Sequence, residues 1–252
     1  MTIKNTFTHW VTCPQPNPQA KLRLFCFAYA GGSATVFRTW ANYLPKTIEL
    51  CPIEIPGRGR QIKSPAYTEI QPLVRAIAIN IIPYLDKPFA FFGYSMGSLI
   101  SFELTKLLRS EYSFYPLHLI VAARQAPQFP AEKPPISQLP DPDFLTAISQ
   151  FNGISSAVLK NAELMQMFLP IIRADFKVLE SYVYTPQPPL DSPITAFGGL
   201  QDPTVSYTAL FGWKEQTLAS FCLHQIDGDH FFINTDKSIL LNSIIQSLQF
   251  HI

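Results

Sequence analysis

Six short apolar runs, Leu22 to Ala28, Ile48 to Ile55, Phe89 to Gly93, Leu117 to Ala123, Ile194 to Phe197 and Ala219 to Ile226, alternate with helical segments along this chain. A strand that is apolar throughout is covered on both faces, and strands separated by helices pair in parallel through crossovers. The alternation predicts an α/β fold, a mostly parallel sheet with helices on both faces. Helical spacing marks Leu73 to Leu85, Ser98 to Arg109, Tyr207 to Gln216 and Lys237 to Leu248, and Pro83 is expected to disturb the end of the first. With 252 residues, 47% of them hydrophobic, the chain can bury the core of one domain spanning 1–252.

The third run leads into Gly93-Tyr94-Ser95-Met96-Gly97, and Leu99, Ile100, Leu104, Leu107 and Leu108 follow at helical spacing. A G-x-S-x-G pentapeptide between a strand and a helix is a nucleophile elbow: the glycines let the chain turn abruptly and leave the serine hydroxyl exposed at the end of the sheet. The context makes Ser95 the expected nucleophile of an α/β-hydrolase fold.

Such a serine needs a base. Of the five histidines, His9 and His251 lie near the ends, while His118 and His224 sit inside apolar runs and read as strand residues facing a neighbour or solvent. His230 follows the last apolar run by four residues, in Asp227-Gly228-Asp229-His230, where the base of such a fold belongs. The acid that orients it should lie between serine and histidine at a strand end. Asp202 does, in the turn Gln201-Asp202-Pro203 after Gly198-Gly199. After the fourth run no carboxylate appears until Glu132, and Asp227 and Asp229 crowd the histidine, which suits turn-forming or solvated roles.

Acyl transfer places negative charge on a carbonyl oxygen, which calls for backbone donors. Met96 N–H is one. The second is expected in Tyr29-Ala30-Gly31-Gly32-Ser33 after the first strand, with Ala30 favoured and Tyr29 and Gly31 as alternatives. Between two proline clusters, Pro127 to Pro142 and Pro186 to Pro193, lies an insertion at about 128–190 rich in large apolar residues, among them Leu159, Phe168 and Ile172. It reads either as helices packed on the sheet or as a lid whose residues line an acyl channel. Tyr29, Tyr94 and Phe168 are the expected substrate contacts.

Net charge of +1 and the lack of a long basic run argue against nucleic acid and strongly anionic membranes. Met1 to Val11 has too few consecutive apolar residues for a secretory signal or a span, so a cytoplasmic protein is expected. Cys13, Cys26, Cys51 and Cys222 are scattered without C-x-x-C spacing, and no metal site is expected.

Four blocks in order, Phe27-Ala28-Tyr29-Ala30-Gly31-Gly32-Ser33, Glu54-Ile55-Pro56-Gly57-Arg58-Gly59-Arg60, Gly93-Tyr94-Ser95-Met96-Gly97-Ser98 and Gly228-Asp229-His230-Phe231-Phe232, resemble the type II thioesterases of non-ribosomal peptide and polyketide synthases. The Pro-Gly-Arg and His-Phe-Phe blocks are the specific ones, since generic esterases share only the elbow. Departures are small: Ala122 to Pro127 looks like a variant of the family's Gly-Arg-Arg-Ala-Pro stretch, and Asp229 stands where glycine is common. The resemblance implies hydrolysis of misprimed or stalled acyl groups carried on the phosphopantetheine arm of acyl or peptidyl carrier protein domains. It also implies no cofactor of the enzyme's own and a monomer. The same triad would serve a chain-releasing fatty-acyl carrier thioesterase or a general esterase, and a non-enzymatic binding protein is the reading from another class.

Overall fold

The computed structural model describes residues 9–131, 134–150, 161–235 and 237–249. Six strands, β1 (Leu22–Phe27), β2 (Ile48–Pro52), β3 (Phe89–Tyr94), β4 (Leu119–Ala122), β5 (Ile194–Gly199) and β6 (Phe221–Ile226), form one sheet in the order β2-β1-β3-β4-β5-β6. Every pairing is parallel. The α-helices among the described residues are α1 (Ile70–Ile81), α2 (Met96–Leu107), α3 (Asp141–Ser149), α4 (Ala162–Glu180), α5 (Tyr207–Phe211) and α6 (Lys237–Leu248).

Period-two alternation divides each central strand between two cores. Phe25, Phe27, Phe89, Phe91, Leu119 and Val121 face a core completed by α1, α2 and α5. Leu24, Cys26, Ala90, Phe92, Tyr94, Ile120 and Ala122 face the opposite one, closed by Leu240, Leu241, Ile244 and Leu248 of α6 with Phe37 and Trp40. Both faces are covered, which is why the strands carry no polar alternation.

Element ends moved where local sterics outweighed spacing. Helix α1 begins at Ile70 rather than Leu73 and gives way at Ile82–Tyr84 to a 3-10 turn, at Pro83. The expected helix Tyr207 to Gln216 is α5 followed by a 3-10 turn, Gly212–Gln216. The break falls at Gly212, where a Cβ would lie 2.3 Å from the Phe129 ring.

The insertion between β4 and β5 holds α3 and α4. Phe144, Ile148 and Ile172 form a small core of their own, against which Phe168, Leu169 and Phe176 pack. Arg173 lies 4.2 Å over the Phe144 ring and donates to the Leu139 carbonyl and to Asp141 (2.8 and 2.6 Å). Leu159, one of the expected channel residues, falls outside the described residues, as does His251. No described helix is long and apolar enough to cross a membrane.

Candidate active site

The chain turns from β3 into α2 at Ser95, whose φ of 53° and ψ of −110° are strained for a residue with a side chain. Such a conformation costs about 1–3 kcal/mol and persists only where its surroundings impose it. Two glycines leave no alternative. A Cβ on Gly93 would stand 2.3 Å from Gly97 O, and one on Gly97 would stand 2.1 Å from Phe27 O and 2.9 Å from Ala28 O. The elbow therefore closes on itself and against the end of β1. Ser95 N–H donates to Ala122 O at 2.8 Å, which ties the turn to β4. Ser98, fully buried, adds a second tie: its hydroxyl accepts Ala122 N–H at 3.0 Å and shares its proton between the carbonyls of Gly93 and Ala122 (2.8 and 2.9 Å).

Ser95, Asp202 and His230 meet at the carboxyl ends of β3, β5 and β6. Ser95 Oγ is 3.1 Å from His230 Nε2, and His230 Nδ1 is 2.7 Å from Asp202 Oδ2. A carboxylate can only accept, so Nδ1 carries the proton and Nε2 is free to receive one from the serine. The other carboxylate oxygen accepts Thr204 N–H and Thr204 Oγ1–H at 2.8 and 2.6 Å. Burial pushes the Asp202 carboxyl up, but the bond and charge of His230 and the two bonds from Thr204 outweigh it and hold the group below its ordinary range. Thr204 carried no signal at the sequence level beyond standing two residues after Asp202.

The histidine loop is as tightly fitted. A Cβ on Gly199 would meet Asp229 O at 2.4 Å, so only glycine lets the end of β5 pass beneath it. Asp229 Oδ1 accepts Phe231 N–H (2.8 Å), and Asp227 accepts from Gln201 Nε2 (2.7 Å). Both carboxylates shape turns. His118 bonds Thr195 Oγ1 (2.8 Å), and His224 of β6 stacks on Phe197 of β5.

Tyr94 differs from the expectation of a substrate contact. It is fully buried on the α6 face of the sheet, where alternation along β3 sends every second side chain, and its hydroxyl donates to His230 O at 2.7 Å. Burial raises this phenol far above its ordinary value, so it remains a proton donor that supports the histidine. Tyr29, half-buried, packs edge-on against Tyr94 and Phe231 (6.1 and 5.0 Å between ring centres). Phe168 belongs to the insertion's own core; the apolar insertion residue that reaches the β1 loop is instead Ile172, whose Cγ1 would lie 3.0 Å from a Cβ on Gly31.

Met96 opens α2, so its N–H is among the amides without an intrahelical acceptor. In the loop after β1, Gly31 N–H is already committed to Asp175 Oδ2 at 2.7 Å. Ala30 and Tyr29 are the remaining candidates there. Among the described residues no cluster of three or more potential metal ligands occurs.

A six-stranded parallel sheet with a serine elbow, a histidine and a carboxylate in hydrogen-bonded series defines an α/β-hydrolase. The chain belongs to the thioesterase family, whose domain model matches residues 22–248. It is 41% identical over 249 residues to Gramicidin S biosynthesis protein GrsT of Aneurinibacillus migulanus, covering 99% of this chain and 97% of that one. Linear gramicidin dehydrogenase LgrE of Brevibacillus parabrevis is 40% identical over 245 residues, with 96% and 93% covered. Among solved structures, the type II thioesterase BorB from the borrelidin biosynthetic cluster superposes with a TM-score of 0.87 at 30% identity, covering 95% and 97%. The word dehydrogenase describes LgrE alone. In this chain the turn after β1, Ala28-Tyr29-Ala30-Gly31-Gly32-Ser33, lacks the G-x-G-x-x-G of a dinucleotide cradle and enters a four-residue 3-10 turn (Ala34–Phe37) rather than a helix.

Proposed function

We propose that this protein is a type II thioesterase that hydrolyses acyl thioesters on the phosphopantetheine arm of carrier proteins, clearing misprimed or stalled units from a non-ribosomal peptide or polyketide synthase. The observation that carries the reading is the unbroken series Ser95 Oγ, His230 Nε2, His230 Nδ1 and Asp202 Oδ2 in a chain of the thioesterase family. Full-length similarity to a gramicidin S biosynthesis protein and to BorB supports the synthase setting.

In this reading His230 Nε2 takes the Ser95 Oγ proton as the oxygen attacks the thioester carbonyl. Met96 N–H and Ala30 N–H hold the resulting oxyanion, and Asp202 stabilises the imidazolium. The C–S bond breaks, His230 returns its proton to the departing thiol, and an acyl-serine remains. Water then gives a proton to His230 and attacks the ester, and the acid leaves as Ser95 is reprotonated. Water is the co-reactant, and no cofactor of the enzyme's own is consumed. The insertion serves as the lid of the acyl channel, with Ile172 over the β1 loop and Tyr29 beside it. A monomer suffices, because one chain supplies the whole triad. Four free cysteines fit a reducing cytoplasm.

The test is release of acetyl and longer acyl groups from a phosphopantetheinylated carrier protein, compared with small esters of the same acids and with Ser95→Ala run in parallel. Faster, Ser95-dependent release from the carrier is expected; preference for the esters would make this a general esterase.

A further inference from the structure

We infer that Asp175, carried by α4 of the insertion and paired with Arg58, is a positioning residue that sets the oxyanion-binding backbone of the β1 loop. The inference rests on the reading above, in which that loop supplies a donor.

Asp175 and Arg58 are 2% and 3% exposed and meet in a bidentate pair: Nη2 donates to Oδ1 and Nη1 to Oδ2, both at 2.7 Å. The same Oδ2 accepts Gly31 N–H at 2.7 Å, across 144 residues of sequence. Arg58 Nη1 also donates to Gly32 O at 3.2 Å, and Nη2 reaches Pro56 O at 3.5 Å. The loop is thus held at two adjacent residues, Gly31 by its amide and Gly32 by its carbonyl, on either side of the peptide that joins them. Ile172, one turn before Asp175, closes over Gly31, whose φ of 78° is one that residues with side chains rarely adopt.

Stability alone does not account for these charges. A buried ion pair contributes little beyond well-packed apolar residues of the same volume, because desolvation cancels most of its attraction. Arg58 Nε is buried with no acceptor among the described residues, a further cost. What the pair supplies is direction. A carboxylate accepts and never donates, and clamped by a planar guanidinium it has one orientation, so Gly31 N–H has one orientation too. With that amide committed to Asp175, Ala30 N–H, one peptide earlier, is the favoured loop donor beside the elbow, with Tyr29 N–H the alternative. That elbow lies against the start of this loop, with no room for a Cβ on Gly97 beside Phe27 O and Ala28 O. The back half of α4 is therefore part of the catalytic frame, and displacement of the insertion at Asp175 would move the hole.

The test uses the full chain with Asp175→Asn, and with the double substitution Arg58→Met and Asp175→Leu, which removes both charges together and preserves packing. Three quantities are read: melting temperature, kcat and KM on an acyl-N-acetylcysteamine thioester, and Ki for a trifluoromethyl ketone of the same chain, whose adduct with Ser95 places an oxyanion in the hole. Removing one oxyanion donor outright costs about 100- to 1,000-fold. Misaiming one is expected to lower kcat by about 10- to 100-fold with KM within about twofold. Ki for the ketone should rise in proportion to the loss in kcat/KM. The double variant should melt near the wild type and still show the rate loss. Wild-type kcat and Ki in a double variant that melts normally would overturn the inference, as would rate losses that follow the melting temperature while Ki stays fixed. Thioester hydrolysis by Ser95→Ala at the wild-type rate would instead overturn the functional reading, and this inference with it.

Discussion

Gly97→Ala puts the elbow's geometry to a quantitative test. The added methyl would sit 2.1 Å from Phe27 O, 2.5 Å from Phe27 C and 2.9 Å from Ala28 O, all backbone atoms at the end of β1. No rotamer relieves the clash. Ordinary contact begins near 3.4 Å, so the elbow and the β1 end must part by about 1.3 Å. Those two segments are the ones that carry Ser95 and the proposed Ala30 donor, and a 1 Å misplacement of reacting groups costs on the order of 100-fold in rate. Overpacking of this kind costs about 1–3 kcal/mol. In a domain of this size each kcal/mol lowers the melting temperature by about 2–4 °C. Calorimetry together with kcat/KM on a small acyl thioester should therefore show a folded protein, melting several degrees lower, with activity reduced by about two orders of magnitude. Wild-type activity and melting temperature in this variant would refute the argument that glycine is required there by the approach of β1.

Asp202→Asn should keep the fold and lower kcat by about 10⁴-fold, because an amide stabilises the wrong imidazole tautomer; steady-state kinetics decide it. Ser98→Ala removes a buried hydroxyl that bonds Ala122 N–H and the carbonyls of Gly93 and Ala122, and is expected to cost about 1–3 kcal/mol by denaturant titration, a cost that a solvent-facing serine would not show. Tyr94→Phe should lower kcat and stability while leaving KM within about twofold, since the hydroxyl supports His230 O rather than the substrate; a large rise in KM would return Tyr94 to the substrate. Because the folded Asp202 carboxyl is held below its ordinary value, its contribution to stability is present above pH 3.8 and is lost as pH falls through the lower folded value. Acid titrations of wild type and Asp202→Asn should diverge in stability above that point and converge below it.

The sheet, the elbow and the meeting of Ser95, Asp202 and His230 were legible because each position is set by local chemistry. Glycine on either side of Ser95, a strand ending at Gly199 and a loop after β6 mark their roles within a few residues, and chain order then links them. Tyr94 was not legible in the same way. A strand buried on both faces has no polar side, so nothing in Phe89 to Tyr94 tells which face the tyrosine takes; that came from the packing of Phe232, 5.2 Å away between ring centres, and α6. The Arg58–Asp175–Gly31 contacts were the hardest to foresee. They join residues 117 and 144 positions apart, and Asp175 lies in an apolar helical stretch where only burial reveals that its carboxylate has two partners. Phe168 and Ile172 are equally apolar and four residues apart in α4, and only the placement of that helix shows which of them reaches Gly31.

The central claim is that Ser95 carries the acyl group during hydrolysis of carrier-bound thioesters, and the most direct measurement is to catch it there. Wild-type protein mixed with excess acyl-phosphopantetheinyl carrier, quenched within the first turnovers and mapped by mass spectrometry, should yield the peptide containing Ser95 enlarged by one acyl mass. The label should disappear as turnover proceeds and never form in Ser95→Ala. Steady hydrolysis of the carrier thioester with that peptide unmodified, or with the acyl group on another residue, would contradict the account.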